Sequence, residues 1–129
     1  MKNHIKYSDI SNDGTLIAVS DTKTTRIFNY INNLDATVKP ILFDYILPGT
    51  HIMKFTKDSE RLVCADSDRL LVHHMNQVSP AISIPITSYG PVTLMDVSND
   101  GQFVCIATTS SKIQVYSLDT TNVKVVFLT

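Results

Sequence analysis

The tetrapeptide Ser-Asn-Asp-Gly stands at 11–14 and again at 98–101, inside the longer frames YSDISNDGTLIAVS and LMDVSNDGQFVCIA. A weaker copy, KFTKDSERLVCA at 54–65, lies between them. The turn aspartates Asp13, Asp58 and Asp100 are separated by 45 and 42 residues. A near-constant period of this size restricts the chain to an array of similar units, either small sheets or helical pairs. The local pattern decides between the two. Each copy has a short apolar run before the turn, another just after it, a polar gap and then an alternating run. In the third copy these are VTLMDV (92–97), FVCIA (103–107) and IQVYSL (113–118), rich in Val, Ile and aromatic residues at strand length.

A fourth segment closes each unit: VKPILF (38–43), AISIPI (81–86) and VKVVFL (123–128). The expected fold is all-β, with three four-stranded antiparallel units and about twelve strands in one domain over 1–129. The units fall at about 4–43, 50–86 and 92–128. From the turn Asp to the ring of the third strand is 15 residues (Asp13 to Phe28), 15 (Asp58 to His73) and 16 (Asp100 to Tyr116). Ile27, Val72 and Val115 stand immediately before these rings, and Tyr30, Met75 and Leu118 stand two after. Strand side chains alternate faces, so the rings and their i+2 neighbours share one face and the β-branched column takes the other. Both faces are largely apolar, which suits a propeller blade wedged between two others.

Ser-Asn-Asp-Gly is then the hairpin between the first two strands of a unit. Asn and Asp bond a tight turn internally, and Gly supplies the positive φ of a bulged exit. The middle copy, Lys57-Asp58-Ser59, replaces the Gly and is expected to turn with more strain or by a different loop.

Composition sets the outer bounds. The 129 residues are 43% apolar and 18% charged, with 11 basic against 12 acidic side chains, so no global field draws the chain to nucleic acid or anionic lipid. No apolar run reaches the length of about 18 residues that a membrane helix needs, and the opening MKNHIKYSD reads neither as a signal peptide nor as an Arg-rich presequence. Two cysteines make no disulfide framework, and no Asn-X-Ser/Thr acceptor occurs. The expectation is a soluble intracellular protein in a reducing compartment.

The order apolar strand, S-N-D-G turn, apolar strand, polar hairpin, then IFN or VYS resembles the WD-repeat family over essentially the whole chain. The Trp-Asp positions are held by Phe28-Asn29, His73-His74 and Tyr116-Ser117, and no Gly-His dipeptide precedes a first strand. The hairpin aspartate of the family is replaced at the matching positions by Thr22, Ser67 and Ser110. The resemblance therefore implies a propeller segment whose blades lack the family's hydrogen-bonded tetrad and lean on apolar packing. Within the family, the trio LIAVSDTKTTRIFNY, IMKFTKDSERLVCADSDRLLVHHM and PVTLMDVSNDGQFVCIATTSSKIQVYSLD resembles the second propeller of a WD-repeat component of the nucleolar small-subunit processome. That likeness implies a scaffold in pre-18S ribosomal RNA processing and ribosome biogenesis, located in the nucleus and nucleolus. Its implied partners are assembly factors and further propeller blades, with weak or indirect RNA contact and neither membrane nor small-molecule substrate. Competing expectations are a WD-like scaffold of ubiquitin ligation, trafficking or chromatin, and a propeller that binds RNA directly. Three blades make an open arc, since propellers use four to eight. Its end blades expose apolar faces that need further blades, a partner or a second copy, and the simplest expectation is a piece of a longer protein.

The chemistry-bearing residues are weighed against this frame. His73 and His74 are strand neighbours facing opposite ways and share no ion; His73 is read as a packed substitute for an aromatic ring. Cys64 and Cys105 fall out of register with one another and are read as buried small hydrophobes rather than a disulfide. Asp9 and Asp96 share a repeat column, which suggests paired carboxylates but is read as the polar ends of inner strands near a channel or turn. Lys2, Lys6, Lys23, Arg26 and Lys39, then Lys54, Lys57, Arg61 and Arg69, lack an aromatic-interleaved stripe and are read as a solvated rim. No catalytic, cofactor-binding or metal-ligating residue is assigned, and no cofactor is expected.

Overall fold

A computed structural model describes residues 4–21, 23–31, 37–40, 49–50, 52–66, 69–76, 82–86, 92–109 and 113–118. Among the described residues eleven strands run in chain order: β1 (Tyr7–Ile10), β2 (Leu16–Ser20), β3 (Thr25–Ile31), β4 (Thr37–Pro40), β5 (Ile52–Phe55), β6 (Arg61–Ala65), β7 (Arg69–His74), β8 (Ile82–Pro85), β9 (Val92–Val97), β10 (Phe103–Thr108) and β11 (Ile113–Ser117). They form three separate antiparallel meanders, β1-β2-β3-β4, β5-β6-β7-β8 and β9-β10-β11. Among the described residues there is no helix, and hence none long and apolar enough to cross a membrane. The expected closing strand of the third unit (123–128), with 41–43 of the first, lies outside the described residues.

Within each meander every strand pairs with its sequence neighbour, as short polar hairpins dictate. The register places Ala18 opposite Ile27 and Ile17 opposite Phe28, so the β-branched column and the ring column take opposite faces as the spacing predicts. The same split recurs in β6–β7, where Val63 faces Val72 and Leu62 faces His73, and in β10–β11, where Cys105 faces Val115 and Val104 faces Tyr116.

These columns determine how the sheets stack. Leu16, Ala18 and Ile27 of the first sheet pack with Met53, Phe55, Leu62, Cys64 and Leu71 of the second. From the opposite face of the second sheet, Val63, Ala65, Leu70, Val72 and Ile84 pack with Val92, Val104, Ile106, Tyr116 and Leu118 around the third. The middle sheet is therefore covered on both sides, and all five residues of β6 are buried. Among the described residues the outer sheets are covered on one side only, so β2 and β10 alternate. The first strands lie side by side, with β5 against both β1 and β9. His73 is fully buried, in keeping with a ring substitute; burial drives its pKa down to about 4.

One expectation is corrected. Cys64 is buried as read, and burial pushes its thiol up to about 12, but Cys105 is exposed. It pairs with Asp96 and Val115 on the side of the third sheet turned away from the second, which no described sheet faces.

The three turns are built alike. In the first, Ser11 Oγ donates to Asp13 Oδ1 at 2.7 Å and accepts the Leu16 N–H at 2.9 Å, while Asp13 Oδ1 also accepts the Thr15 N–H at 3.0 Å. The third turn repeats this with Ser98, Asp100, Gln102 and Phe103, and the middle one with Thr56, Asp58, Glu60 and Arg61. Gly14 and Gly101 take φ of 77° and 72°, and in the middle turn Ser59 is forced to 63°, the expected strain. Gly101 is constrained twice: Arg61 Nη2 donates to its carbonyl at 2.5 Å, and a Cβ there would collide with the Arg61 guanidinium.

Two predictions follow from this packing. Leu62 and Leu70 are fully buried on opposite faces of the middle sheet, so Leu62→Ala and Leu70→Ala should each lower unfolding free energy by about 2–5 kcal/mol in urea titrations. A sheet with one wet side would suffer for only one of them. Ser59→Gly relieves the left-handed backbone, by about 1 kcal/mol, but also removes the Oγ that accepts the Asp13 N–H at 3.4 Å. It should therefore be more stable than Ser59→Ala, which loses the same oxygen and keeps the strain; equal melting temperatures for the two would count against strain at this position.

Candidate functional site

Where the first strands of the three sheets end and enter their turns, the chain forms a cavity of about 250 Å³. Its lining follows from the repeat. Four residues before each turn aspartate stand Asp9, Lys54 and Asp96; three before stand Ile10, Phe55 and Val97; one before stand Asn12, Lys57 and Asn99. Each strand thus contributes the same three columns, because the sheets stack with their first strands adjacent and their turns at one end.

Asp9 and Asp96, singled out as a column, do line one cavity at the inner strand ends. The structure adds the residue that reading of the column left out, Lys54 of the middle unit. Lys54 Nζ lies 2.6 Å from Asp96 Oδ1, and the same oxygen accepts the Val97 N–H at 2.9 Å. These contacts, Lys54 first, hold the Asp96 carboxyl below the usual range. Both partners are substantially exposed, so the pair is worth only about 0.2–1 kcal/mol and weakens with salt. Asp9 is held differently, its Oδ2 accepting the Phe55 backbone N–H at 2.7 Å. It is a clasp between the first and second sheets.

The row therefore reads carboxylate, ammonium, carboxylate across three adjacent strands. Its chemistry is that of a polar surface of mixed sign, flanked by two amides and a second ammonium, that can hydrogen-bond donors and acceptors of a peptide or polar loop. The two carboxylates do not form an isolated pair, because a cation stands in the row between them. Among the described residues no group of three or more His, Cys, Asp or Glu could hold a metal ion.

The remaining candidates lie elsewhere. His73 is inside the sheet stack, and His74 follows it on the other face of β7. Of the basic residues, Lys54 and Lys57 reach the cavity, while Arg61 is buried over the third turn. Lys2 lies outside the described residues. So do Thr22, Ser67 and Ser110. The hairpin after β2 does hold a buried carboxylate, Asp21, which accepts the N–H groups of Lys23 at 2.7 Å and Thr24 at 2.8 Å. Aligning by the turn aspartate would have located it, since Asp21 and Asp66 both follow that residue by eight.

The turn carboxylates give the site's end of the molecule a defined acid response. The Thr15 N–H, with the Ser11 hydroxyl, holds Asp13 down to about 2 from an ordinary 3.8. Asp58 and Asp100 are lowered chiefly by the hydroxyls of Thr56 and Ser98. A carboxyl depressed on folding stabilises above its unfolded pKa and loses that contribution as pH falls through its folded one. The neutral His73 acts in the same direction, since the unfolded chain takes up its proton at about 6.5 and the folded one only at about 4. Stability should thus fall in two windows on acidification, from pH 6.5 to 4 and from 4 to 2. In urea midpoints measured across this range, His73→Phe should flatten the first window and leave the second; an unaltered first window would refute the assignment.

Neither a scan against protein-family models nor a search of curated proteins finds a match for this chain.

Proposed function

We propose that the chain is a non-enzymatic scaffold, a propeller segment of the WD-repeat kind that works in early assembly of the small ribosomal subunit. The observation that carries the reading is the middle sheet, apolar on both sides and sandwiched while its first strand lies between the first strands of its neighbours. Stacked antiparallel meanders of three and four strands with their first strands adjacent are what a propeller arc would present, and a rigid arc holds its loops and strand ends in fixed positions for partners. The pathway comes from the likeness of the three strand-and-turn frames to the second propeller of cirhin-type processome proteins.

The mixed-sign cavity favours a protein partner over RNA. A phosphate-binding surface concentrates cations, whereas here Lys54 is matched by Asp96 and Asp9 stands in the same row. The two carboxylates that first suggest acid–base chemistry are occupied by a backbone N–H and an ammonium, which is the work of structural groups.

The chain, tagged and expressed in its own cell type, should co-purify with ribosome-assembly factors and pre-18S RNA, and fluorescence should concentrate in the nucleolus. Ribonuclease treatment should leave the protein associations intact. Recovery in a complex free of assembly factors would overturn the pathway; loss of every partner on ribonuclease treatment would overturn the protein-scaffold reading in favour of RNA binding.

A further inference from the structure

The inter-sheet junction occurs twice and is built from equivalent columns both times. At the first, Ala18 and Ile27 face Leu62 and Cys64; at the second, Val63 and Val72 face Val104 and Ile106. Counting from the turn aspartates, each sheet presents its Ala18/Val63 column to the sheet after it and its Leu62/Val104 column to the sheet before it. The stack is head-to-tail. Among the described residues it leaves one face of each type uncovered.

On the third sheet the forward column continues as Cys105 and Val115, with Ala107 and Ile113 beside them. Cys105 is exposed and Ile113 is 37% exposed. On the first sheet the backward column is Ile17 and Val19 with Phe28 and Tyr30, none of them fully buried. These apolar faces are the two halves of the junction used twice inside the chain.

The backbone agrees. Asp9 of the first sheet clasps the Phe55 N–H of the second. Its equivalent in the third sheet is Asp96, 74% exposed at the open end, and the equivalent of Phe55 in the first sheet is Ile10, 61% exposed. The carboxylate and the N–H of a second such clasp are thus on the same chain, at opposite ends; the junction between the second and third sheets has Lys54 in the carboxylate's place and makes an ion pair with Asp96 instead.

We propose that the uncovered faces are filled by a second copy of this chain, the forward face of one third sheet receiving the backward face of the other first sheet, at two equivalent junctions. A head-to-tail contact either closes or grows into a filament; the described sheets of two copies number six, within the four to eight that a closed ring uses. Closure rests on the radial reading under Proposed function, while the pairing of faces rests only on the columns and is independent of pathway.

Sedimentation of the purified chain tests this. The wild type should have twice the 14.4 kDa chain mass. Ile17→Lys, on the backward face, and Ile113→Glu, on the forward face, should each give the single mass with an unchanged β-sheet circular dichroism spectrum. Mixing the two variants should restore the double mass, since one junction in the mixed ring is then unaltered and the other opposes unlike charges. A monomeric wild type would overturn the proposal and assign the faces to sheets of another polypeptide. A ladder of larger species would overturn closure while retaining head-to-tail contact, and a dimer insensitive to Ile17→Lys would replace it with a face-to-face pair. None of these outcomes bears on co-purification with assembly factors, so the two readings fail separately.

Discussion

The structure depends on the burial of both faces of the middle sheet. A sheet in water with one covered side can alternate apolar and polar residues, but β6 has no polar side to give. Leu62, Val63, Cys64 and Ala65 are all at or near zero exposure. Each large apolar side chain buried there stabilises by about 1.5–3 kcal/mol, well above the fraction of a kcal/mol available to an exposed ion pair such as Lys54 with Asp96. The polar links between sheets, Asp9 to Phe55 and Arg61 to Gly101, set the angle and register of packing that the apolar columns drive.

Arg61 shows how such a link is accommodated. It occupies the position of Leu16 and Phe103 in the other units, yet it is buried and its charge is directed to a carbonyl of the adjacent turn. The missing Cβ of Gly101 makes room for it. The middle unit therefore carries two departures from the repeat at one end, a buried guanidinium and the positive φ of Ser59.

Much of this was legible in the sequence because it depends on short-range periodicity. Strand positions, hairpin turns, the opposite-facing columns and the strain at Ser59 all follow from alternation and turn chemistry within about twenty residues of each turn aspartate. What was hidden depended on which sheet had a neighbour. Cys64 and Cys105 look alike as residues in second strands, but only the first has a sheet on its side. Lys54 was in the column of Asp9 and Asp96 all along; searching for like charges hid the opposite charge between them. The hydroxyls of Ser11, Thr56 and Ser98 were also readable, as a Ser/Thr two residues before each turn aspartate, although their paired bonds to the turn become evident only with the backbone in place.

The cavity at the strand ends is made of three columns, each sampled once by every unit. Its electrical character is therefore composed one unit at a time: Asp, Lys and Asp in one column, Asn, Lys and Asn in another. A replacement at Asn12, Lys57 or Asn99 alters the sign or donor count of the recess by a single step and leaves the greasy columns that fold the chain untouched, whereas Asp9 also ties two sheets together. Duplicated architecture of this sort separates what a molecule recognises from what keeps it folded, so that recognition can drift across related copies while the scaffold stays the same.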